Sequence, residues 1–345
     1  MKRLVIGIVT LGVLAGACSS SATKSQGSSD VLRLGVFPNL THSPGLIGIT
    51  QGILDKDLAP TKVKIVPFTS GSEASSALAS GSIDASYIGP NPAVSIWTKT
   101  NGQFVIVSGA TLGGAAFVVR NGSGISSPSD LAGKKIADPG IGNTQDVALR
   151  TWLHEHGLKA TDEGGTVTVV PLSSNSDSIT LMQNKQIDGA WQPEPYVSLL
   201  VSQNLGHVFV NEASLWPGGK FSTTNLLVSK SYMSAHADVV KRLVQANVDS
   251  IQYIQKNPQA AATAANTEIA KLGGKSLDSA ALMRAWSEMS FTWDPDTSSI
   301  TTDAQRAYAL KDIDANPSNI SSLYDLTDLN AILQSKGLSP VQVSG

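Results

Sequence analysis

The sequence predicts an α/β protein of two similar lobes, and two observations lead to that fold class. Short apolar runs alternate with segments of helical periodicity, which favours parallel sheets covered by helices. A segment also occurs twice: from Ile83 the sequence is IDASYIGPNP, and from Ile187 it is IDGAWQPEP. Each copy predicts a strand, an aromatic residue and a Pro-x-Pro that begins a helix, so the two lobes share one plan and enclose a cleft.

The first lobe is predicted to begin with alternating strands and helices. The strands cover residues 31–36, 63–68 and 83–88, and the helices cover residues 44–54 and 70–79. Ser70 and Glu73 have the spacing of a capping box at the start of the second helix, and Gly81 follows its end. Short strands separated by helices predict a parallel sheet.

The second lobe is predicted after residues 105–108 and the glycine-rich residues 109–114. Its elements are a strand at 115–119, a helical turn at 129–132, a strand at 135–137, a helix at 143–156, a strand at 167–170, a helix at 176–184, the strand of the second repeat and a strand at 208–210. The chain then returns near residues 217–224 and adds a strand at 225–228. These two crossings predict a hinge between a first lobe of residues 31–112 and 221–345 and a second lobe of residues 113–220.

Beyond residue 236 the pattern is helical. Apolar residues recur at helical spacing from Val239 to Ile254, and Pro258 stands where the first turn of a helix tolerates proline. We expect these apolar stripes, together with Trp216, Trp286 and Trp293, to be packing residues. The helices are expected to pack on the first lobe.

The N-terminus has the parts of an export signal. Lys2 and Arg3 are basic, residues 4–14 form an apolar run too short for a stable membrane span, and small residues precede Cys18, the only cysteine. Residues 15–18 therefore predict a lipobox, residues 1–18 a lipoprotein signal peptide and residues 19–30 a flexible linker. The usual pattern has leucine three residues before the cysteine, whereas Leu14 stands four before it. An ordinary secreted protein with an incidental cysteine is the alternative.

Composition limits the partners. Of the residues, 41% are hydrophobic and 15% are charged, and the net charge is −2, so no basic face indicates nucleic acid. Catalysis is not supported either, since the five histidines are scattered and His154 and His156 point to different faces of one helix. No phosphate-binding loop, nucleophile elbow or dinucleotide motif is present, and we expect no metal and no cofactor.

Polar loops precede five predicted helices instead. They contain Asn39, Thr69, Gly89, Gly142 and Gln192. In parallel α/β sheets such loops gather at the carboxyl ends of the strands, where ligands bind. Backbone N–H groups and helix dipoles there favour an oxyanion, whose shell neutral Ser, Thr, Asn and Gln side chains can complete. For any single residue, helix capping alone is the alternative.

Three further residues of the repeat are candidates for the cleft. Tyr87 and Trp191 occupy corresponding positions and either wall the cleft or are buried in the sheets. Among the candidates, Glu194 fits an anionic ligand least well. Three alternative roles are considered for its carboxylate: binding an amine of the ligand, capping its own helix, or forming an ion pair across the lobes.

Four segments resemble the nitrate/sulfonate/taurine group of periplasmic solute-binding proteins, nearest its aliphatic-sulfonate branch. They are LGVFPNLTH from Leu34, YIGPNPA from Tyr87, GNTQDVALR from Gly142, and DGAW from Asp188 with the PEP that follows. The resemblance implies a type II periplasmic binding protein fold, in which two Rossmann-like lobes joined by two hinge crossings close on one ligand. It also implies delivery of that ligand to an ABC permease and its ATPase subunit.

Carried over motif by motif, the resemblance implies a mostly neutral ligand shell. Its members would be Asn39, Thr41, His42, Ser70, Gly71, Asn91, Asn143, Thr144 and Glu194, with Thr111 and Thr223 near the crossings. The predicted protein is a monomer that a lipid on Cys18 holds at the outer face of the cell membrane, and it binds a small oxyanion, nearest an aliphatic sulfonate.

Three alternatives stay open. In the first, the ligand is nitrate, taurine or a thiamine-precursor pyrimidine, and the pyrimidine stacks on Trp191 or Tyr87. In the second, the protein is an exported enzyme in which Glu194 acts together with Asp146 or His42 as acid and base. In the third, the lobes present the ligand to a receptor rather than to a permease.

Overall fold

The computed structural model describes residues 31–314, 316–317 and 319–343. The predicted signal peptide, Cys18 and the linker lie outside the described residues. Within these ranges no helix is both long enough and apolar enough to span a membrane. The chain forms two α/β lobes, each with its own sheet, as predicted.

The described residues contain eleven strands. They are β1 (Val31–Val36), β2 (Lys62–Pro67), β3 (Ala85–Ile88), β4 (Phe104–Gly113), β5 (Ala115–Arg120), β6 (Lys135–Asp138), β7 (Thr168–Pro171), β8 (Gly189–Pro193), β9 (Gly206–Asn211), β10 (Ser222–Ser229) and β11 (Met289–Phe291). The first sheet has the order β11-β4-β10-β3-β1-β2, and the second has the order β7-β6-β8-β5-β9.

Thirteen α-helices cover these sheets in the described part of the chain. They are α1 (Ser43–Thr50), α2 (Ile53–Leu58), α3 (Gly71–Ala79), α4 (Pro90–Lys99), α5 (Thr144–Glu155), α6 (Asp177–Gln183), α7 (Tyr196–Ser202), α8 (Lys230–Ala235), α9 (Ala237–Lys256), α10 (Pro258–Lys271), α11 (Ser279–Ser287), α12 (Thr297–Ala309) and α13 (Thr327–Ser335).

Both sheets are mixed, so the predicted parallel arrangement holds for only part of each sheet. Three strands of each sheet are parallel: β2, β1 and β3 in the first, and β7, β6 and β8 in the second. In each sheet, the strand that directly follows a crossing between the lobes runs antiparallel to these three. β10 inserts between β3 and β4, and β5 inserts between β8 and β9.

The repeated Asp residues occupy equivalent places in the two sheets. The Asp84 N–H donates to Arg33 O over 2.9 Å, and the Asp84 carboxylate accepts the Arg33 N–H over 2.8 Å. The Asp188 N–H donates to Lys135 O over 2.7 Å, and its carboxylate accepts the Lys135 N–H over 3.1 Å. Each Asp therefore joins the start of the repeat strand to the start of the parallel strand beside it.

The two crossings lie at short, unlike connections. Between β4 and β5 the chain passes through Gly113 and Gly114, whose φ angles of +77° and +79° are accessible mainly to glycine. Between β9 and β10 it passes through residues 212–221. The Thr223 hydroxyl donates to Gly113 O over 2.8 Å, so the two crossings are hydrogen-bonded to each other. The lobe boundaries predicted at residues 113 and 221 stay predictions.

Two local expectations differ from the structure. The helix predicted at residues 44–54 is broken into α1 and α2, because Gly52 has a φ of +64° and caps the second of them. Residues 109–113, expected as a connection, continue β4. Half of the predicted capping box is present at α3: the Ser70 hydroxyl oxygen accepts the Glu73 N–H over 3.3 Å, whereas the Glu73 carboxylate accepts the Thr69 N–H over 3.2 Å.

The C-terminal helices cover more than the first lobe. The apolar face of α9 is buried in the cores that also contain β1, β4 and α1, and Trp286 packs in one of these cores. However, α11 packs on α7 and α12 packs on both α4 and α5. The prediction that these helices contact the first lobe was therefore incomplete, since two of them bridge the lobes.

Candidate ligand-binding site

A small cavity lies between the two sheets, where the loops after the parallel strands meet. Its volume is about 40 Å³. It is lined by Phe37, Asn39, Thr41, His42, Thr69, Ser70, Gly71, Gly89, Pro92, Pro139, Asn143, Thr144, Gln145, Asn175, Pro193 and Thr223. We call it the cleft cavity. The loops follow β1, β2 and β3 in the first lobe and β6, β7 and β8 in the second.

The structure brings together eight of the residues predicted for the ligand shell. Asn39, Thr41, His42, Ser70, Gly71, Asn143, Thr144 and Thr223 all line the cleft cavity. They come from the chain segments that follow β1, β2 and β6 and from β10, which are distant in the sequence. Their role as ligand contacts stays a prediction.

Trp191 and Tyr87 are not walls of the cleft cavity. Trp191 is fully buried in the core of the second lobe, where its ring stacks on Phe117 with centroids 5.5 Å apart. Its indole N–H donates to the Glu212 carboxylate over 2.7 Å. Tyr87 is buried in the first lobe, and its hydroxyl donates to Asn247 over 2.9 Å. In both strands the aromatic residue faces the helices of its own lobe.

Glu194 also lies outside the cleft cavity. Its carboxylate accepts the Ser198 N–H and the Ser198 hydroxyl over 3.0 and 2.9 Å, so it caps α7. Burial raises the pKa of Glu194 to about 7. It lines a second cavity of about 130 Å³ with Arg284 of α11 and with Glu288, which directly follows that helix. Among the three roles considered for Glu194, helix capping is the one that the contacts support.

Asn91 and Thr111 are likewise displaced from the predicted shell. Thr111 is buried in β4 and pairs with Thr224 of β10. Asn91 lies in the first turn of α4 and lines a third cavity on the outer side of Pro92. The motif placed both residues near the cleft, but the direction of the Thr111 side chain depends on the pairing of β4 with β10, which is remote in the sequence, and that of Asn91 depends on how α4 packs.

Three helices begin at the cleft cavity. α3 begins at Gly71, α4 at Pro90 directly after Gly89, and α5 at Thr144. The N-terminus of a helix has unpaired N–H groups and a partial positive charge of roughly half an elementary charge. The positive ends of these three helix dipoles therefore lie at the cavity.

The cleft cavity contains no ionised side chain among the residues that the structure describes. Its lining includes no Asp, Glu, Lys or Arg. Burial lowers the pKa of His42 to about 3, so the imidazole is neutral at physiological pH. Its Nδ1 atom has no hydrogen-bond partner in the described residues, and its ring lies 4.5 Å from that of Phe37. The site thus offers dipoles and neutral groups to a ligand.

Direct contacts join the lobes at the cleft cavity. The Gly71 N–H donates to Asn143 Oδ1 over 2.9 Å, and the Leu40 N–H donates to Glu194 O over 3.0 Å. At Gly89, a Cβ atom would lie 2.5 Å from Thr144 Oγ1 of the other lobe. A larger residue at this position would therefore require the Thr144 side chain or the lobes to move. The structure is that of a closed cleft.

Asn175 is a cavity residue that the sequence interpretation missed. It lies in the loop between β7 and α6, and its buried Oδ1 has no partner among the described residues. A sequence signal for it exists, since a Ser-Ser-Asn-Ser segment stands at the start of α6 much as a Thr-Ser-Gly-Ser segment stands at the start of α3. The two loops therefore occupy equivalent positions in the two lobes, as do the repeated segments that begin at Ile83 and Ile187.

The arrangement does not assemble the proposed acid and base. Asp146 is fully buried and pairs with Arg150 over 2.7 Å, and it does not line the cleft cavity with His42. Within the described ranges, no three His, Cys, Asp or Glu residues are grouped so that they could hold a metal ion.

The two sheets, the two crossings and the cavity between them define a two-lobed binding protein. The model of the NMT1-like family matches residues 25–270, and the chain belongs to this family. A putative binding protein of Brucella abortus (strain 2308) is 28% identical over 226 residues, which are 63% of this chain and 68% of that protein.

Two further comparisons agree with this assignment. The taurine-binding periplasmic protein of Escherichia coli (strain K12) is 30% identical over 192 residues, covering 55% of this chain and 57% of that protein. The alkanesulfonate-binding protein of Xanthomonas axonopodis pv. citri, solved with MOPS bound, superposes with a TM-score of 0.70 at 19% identity, over 83% of this chain and 95% of that chain. The resemblance to the nitrate/sulfonate/taurine group and the periplasmic binding protein fold are thereby confirmed.

Proposed function

We propose that this protein is the substrate-binding subunit of an ABC importer and that it binds a small oxyanion, of the aliphatic-sulfonate class, in the cleft cavity. One observation carries the proposal: three helix N-termini from two lobes converge on a cavity that holds no carboxylate. An anion is favoured there by dipoles and neutral donors, and no acidic side chain lines the cavity. The names of the taurine- and alkanesulfonate-binding proteins support the same class of ligand.

The volume of the cavity favours a head group over a ring. About 40 Å³ is far below the roughly 150 Å³ of an engineered cavity that binds benzene. A pyrimidine would also lack the stacking surface proposed for it, because Trp191 and Tyr87 lie in the cores. A nitrate ion or a sulfonate group is of the right size.

An exported enzyme is disfavoured by the contacts of its proposed residues. The carboxylate of Glu194 is occupied by Ser198, that of Asp146 by Arg150, and His42 is neutral and contacts neither. A binding protein that closes on its ligand by differential affinity for the closed state requires none of these groups to react.

We further propose that Cys18 carries a lipid that holds the protein at the outer face of the cell membrane. The basic start, the short apolar run and the single cysteine support this location. Cell fractionation tests it: the wild-type chain should be in the membrane fraction, and Cys18→Ala should release it. A wild-type chain recovered only in the soluble fraction would contradict lipidation.

Mass spectrometry of the ligand tests the function itself. Full-length protein is purified without denaturation, and the small molecules that it releases on unfolding are identified. A sulfonate or another monoanionic oxyanion is expected in stoichiometric amount. A heteroaromatic cation or an altered product of an added substrate would contradict the proposal.

A further inference from the structure

The cavity that Arg284 and Glu288 line lies next to the crossing between β4 and β5. Its volume is about 130 Å³. Its walls come from the crossing at Gly114, from β5, α7 and β9 of the second lobe, and from the end of α11, which leads into β11 of the first sheet. We call it the hinge cavity. Among the residues that the structure describes, none lines both the hinge cavity and the cleft cavity, so the two are separate sites.

A hydrogen bond between two lining residues joins the lobes at the hinge cavity. The Asn211 amide nitrogen of β9 donates to Glu288 Oε2 over 3.0 Å. The backbone after α11 also lies close to the crossing, since a Cβ atom on Gly113 would be 2.6 Å from Glu288 O. The end of α11 is thus held against both β9 and the crossing. A molecule in this cavity therefore contacts elements of both lobes.

One side of the hinge cavity is apolar. It is formed by Ala115, Ala116, Val197, Val201 and Val208. Val208 is 43% exposed, so this side can be reached from solvent. The volume of about 130 Å³ is close to the roughly 150 Å³ of an engineered cavity that binds benzene. The cavity therefore has room for a small branched aliphatic group.

The α11 side of the hinge cavity offers one cation and one anion. Arg284 and Glu288 are one helical turn apart, so they lie on the same face, and both are exposed. Arg284 forms no ion pair with another residue that the structure describes. Glu288 uses Oε2 for Asn211, which leaves Oε1 for a further donor. Both charged ends are accessible to a ligand.

The chemistry of these two groups selects a zwitterion. The planar fork of a guanidinium matches a carboxylate, and a glutamate carboxylate accepts from an ammonium group. The buried Glu194 does not compete for that ammonium group, because its carboxylate accepts the Ser198 N–H and hydroxyl. An α-amino acid carries a carboxylate, an ammonium group and a side chain on one carbon atom. It therefore matches Arg284, Glu288 and the apolar side of the cavity together.

We propose that the hinge cavity is a binding site for a zwitterionic α-amino acid with a small branched aliphatic side chain. Its carboxylate pairs with Arg284, its ammonium group pairs with Glu288, and its side chain lies against Val201 and Val208. The ligand contacts both lobes and the crossing, so its binding stabilises the closed arrangement. This inference goes beyond the proposed function and does not depend on the anion that the cleft cavity binds.

Calorimetric titration of the full-length protein tests the site with four probes. L-Valine carries all three features, whereas isovalerate lacks the ammonium group, isobutylamine lacks the carboxylate and glycine lacks the side chain. Valine should bind at least tenfold more tightly than each of the other three. If any one of them binds as tightly as valine, the ligand class is wrong. If valine does not bind at all, the site itself is wrong.

Two charge variants assign the contacts. Arg284→Gln should abolish the advantage of valine over isobutylamine, because both probes then lack a partner for a carboxylate. Glu288→Gln should abolish its advantage over isovalerate, while the glutamine oxygen can still accept the Asn211 amide. Lys275→Gln, at an exposed cation that does not line the cavity, is the matched control and should bind all probes like the wild type. Advantages that persist in the two charge variants would contradict the assignment.

Val208→Phe tests the apolar side of the cavity. The larger ring occupies the space proposed for the ligand side chain, so the affinity for valine should fall at least tenfold. Val343→Phe, at a valine that is 38% exposed and outside the cavity, is the control and should bind valine like the wild type. An unchanged affinity of Val208→Phe would place the side chain elsewhere.

Competition separates the hinge cavity from the cleft cavity. Saturating methanesulfonate should leave the affinity for valine equal or higher, because the two cavities share no lining residue. Displacement of valine by methanesulfonate would place valine in the cleft cavity and overturn this inference. If no sulfonate binds, the proposed function fails, whereas the valine series and the variants still decide on the hinge cavity.

Discussion

The backbone N–H of Gly71 in the first lobe donates to Oδ1 of Asn143 in the second lobe over 2.9 Å. The amide nitrogen of Asn143 donates to Pro139 O and Gly140 O over 3.2 and 3.0 Å, which fixes the orientation of the side chain. An oxygen from one lobe thus caps α3 of the other. This is the interaction expected of a ligand oxygen at a helix N-terminus, and here the protein supplies it itself.

Asn143→Asp adds a negative charge at this position while it keeps the shape of the side chain. The new carboxylate can still accept the Gly71 N–H, but its second oxygen would face Pro139 O and Gly140 O in place of the amide donor, so the free energy of unfolding should fall by about 1–3 kcal/mol. The affinity for a monoanionic ligand should fall at least tenfold, because two charges about 4 Å apart repel each other by about 4 kcal/mol at an effective dielectric constant near 20. Urea denaturation and calorimetric titration measure the two effects. An unchanged affinity would show that the anion does not occupy the cleft cavity.

Gly89→Ala should hold the cleft open. The added Cβ would lie 2.5 Å from Thr144 Oγ1, while its nearest atom in its own lobe is 3.7 Å away. We expect the affinity to fall at least tenfold and the radius of gyration in X-ray scattering with ligand to exceed that of the wild type. Thr98→Ala, on the same helix, is the control and should behave as wild type. Full closure of Gly89→Ala with unchanged affinity would contradict the interlobe contact.

Trp191→Ala should destabilise the fold instead of selecting against one ligand. The ring is fully buried and stacks on Phe117, and truncation of such a residue costs about 3–5 kcal/mol. The free energy of unfolding is measured in urea, and Tyr308→Ala, at an aromatic residue that is 41% exposed, should change it by less than about 0.5 kcal/mol. A loss below about 1 kcal/mol for Trp191→Ala would place this ring outside the core.

Stability should fall as the pH rises from about 4.5 towards 7, in part because of Glu212. Burial raises the pKa of Glu212 from 4.5 to about 7. Its contribution is fully present below the pKa of the unfolded chain and is lost as the pH rises through that of the folded protein. At about 1.4 kcal/mol per pKa unit, the loss is about 3 kcal/mol at most. Glu194, with its pKa also raised to about 7, acts in the same direction, and His42, with its pKa lowered to about 3, acts in the opposite direction.

Glu212→Gln isolates this contribution. The amide oxygen of glutamine can still accept the Trp191 N–H, so the variant removes the titration and keeps the contact. The decrease in unfolding free energy between pH 5 and pH 8 should be smaller than in the wild type, and Glu155→Gln, on the surface, should leave it as it is. Parallel pH profiles for wild type and Glu212→Gln would mean that Glu212 does not titrate in this range.

Local patterns in the sequence predict most elements of this fold. Ser70 and Glu73 predict the start of α3, and the repeated Asp84 and Asp188 predict that the lobes share one plan. The mixed sheets were not predictable in the same way. The pairing of Thr224 with Thr111 joins strands more than a hundred residues apart, and no local periodicity records such a partner.

The same reason explains which residues of the predicted ligand shell line the cleft cavity. Ser70, Gly71, Asn143 and Thr144 were found because residues at helix starts necessarily lie at the carboxyl ends of parallel strands. Alternation along β8 shows that Trp191 and Gln192 face opposite ways, but only the packing of α5 decides which of them faces the core. Helix starts are thus predictable, whereas the directions of strand side chains require the tertiary structure.

The central claim is that a monoanion binds between the lobes in a site without a counter-ion. A thermal and urea unfolding panel of the full-length protein with methanesulfonate, longer alkanesulfonates, taurine and nitrate tests it most directly. A ligand at a hundredfold excess over its Kd should raise the free energy of unfolding by about 2.7 kcal/mol, and Asn143→Asp should abolish the increase. No stabilisation by any of these anions, or an equal stabilisation of Asn143→Asp, would contradict the claim.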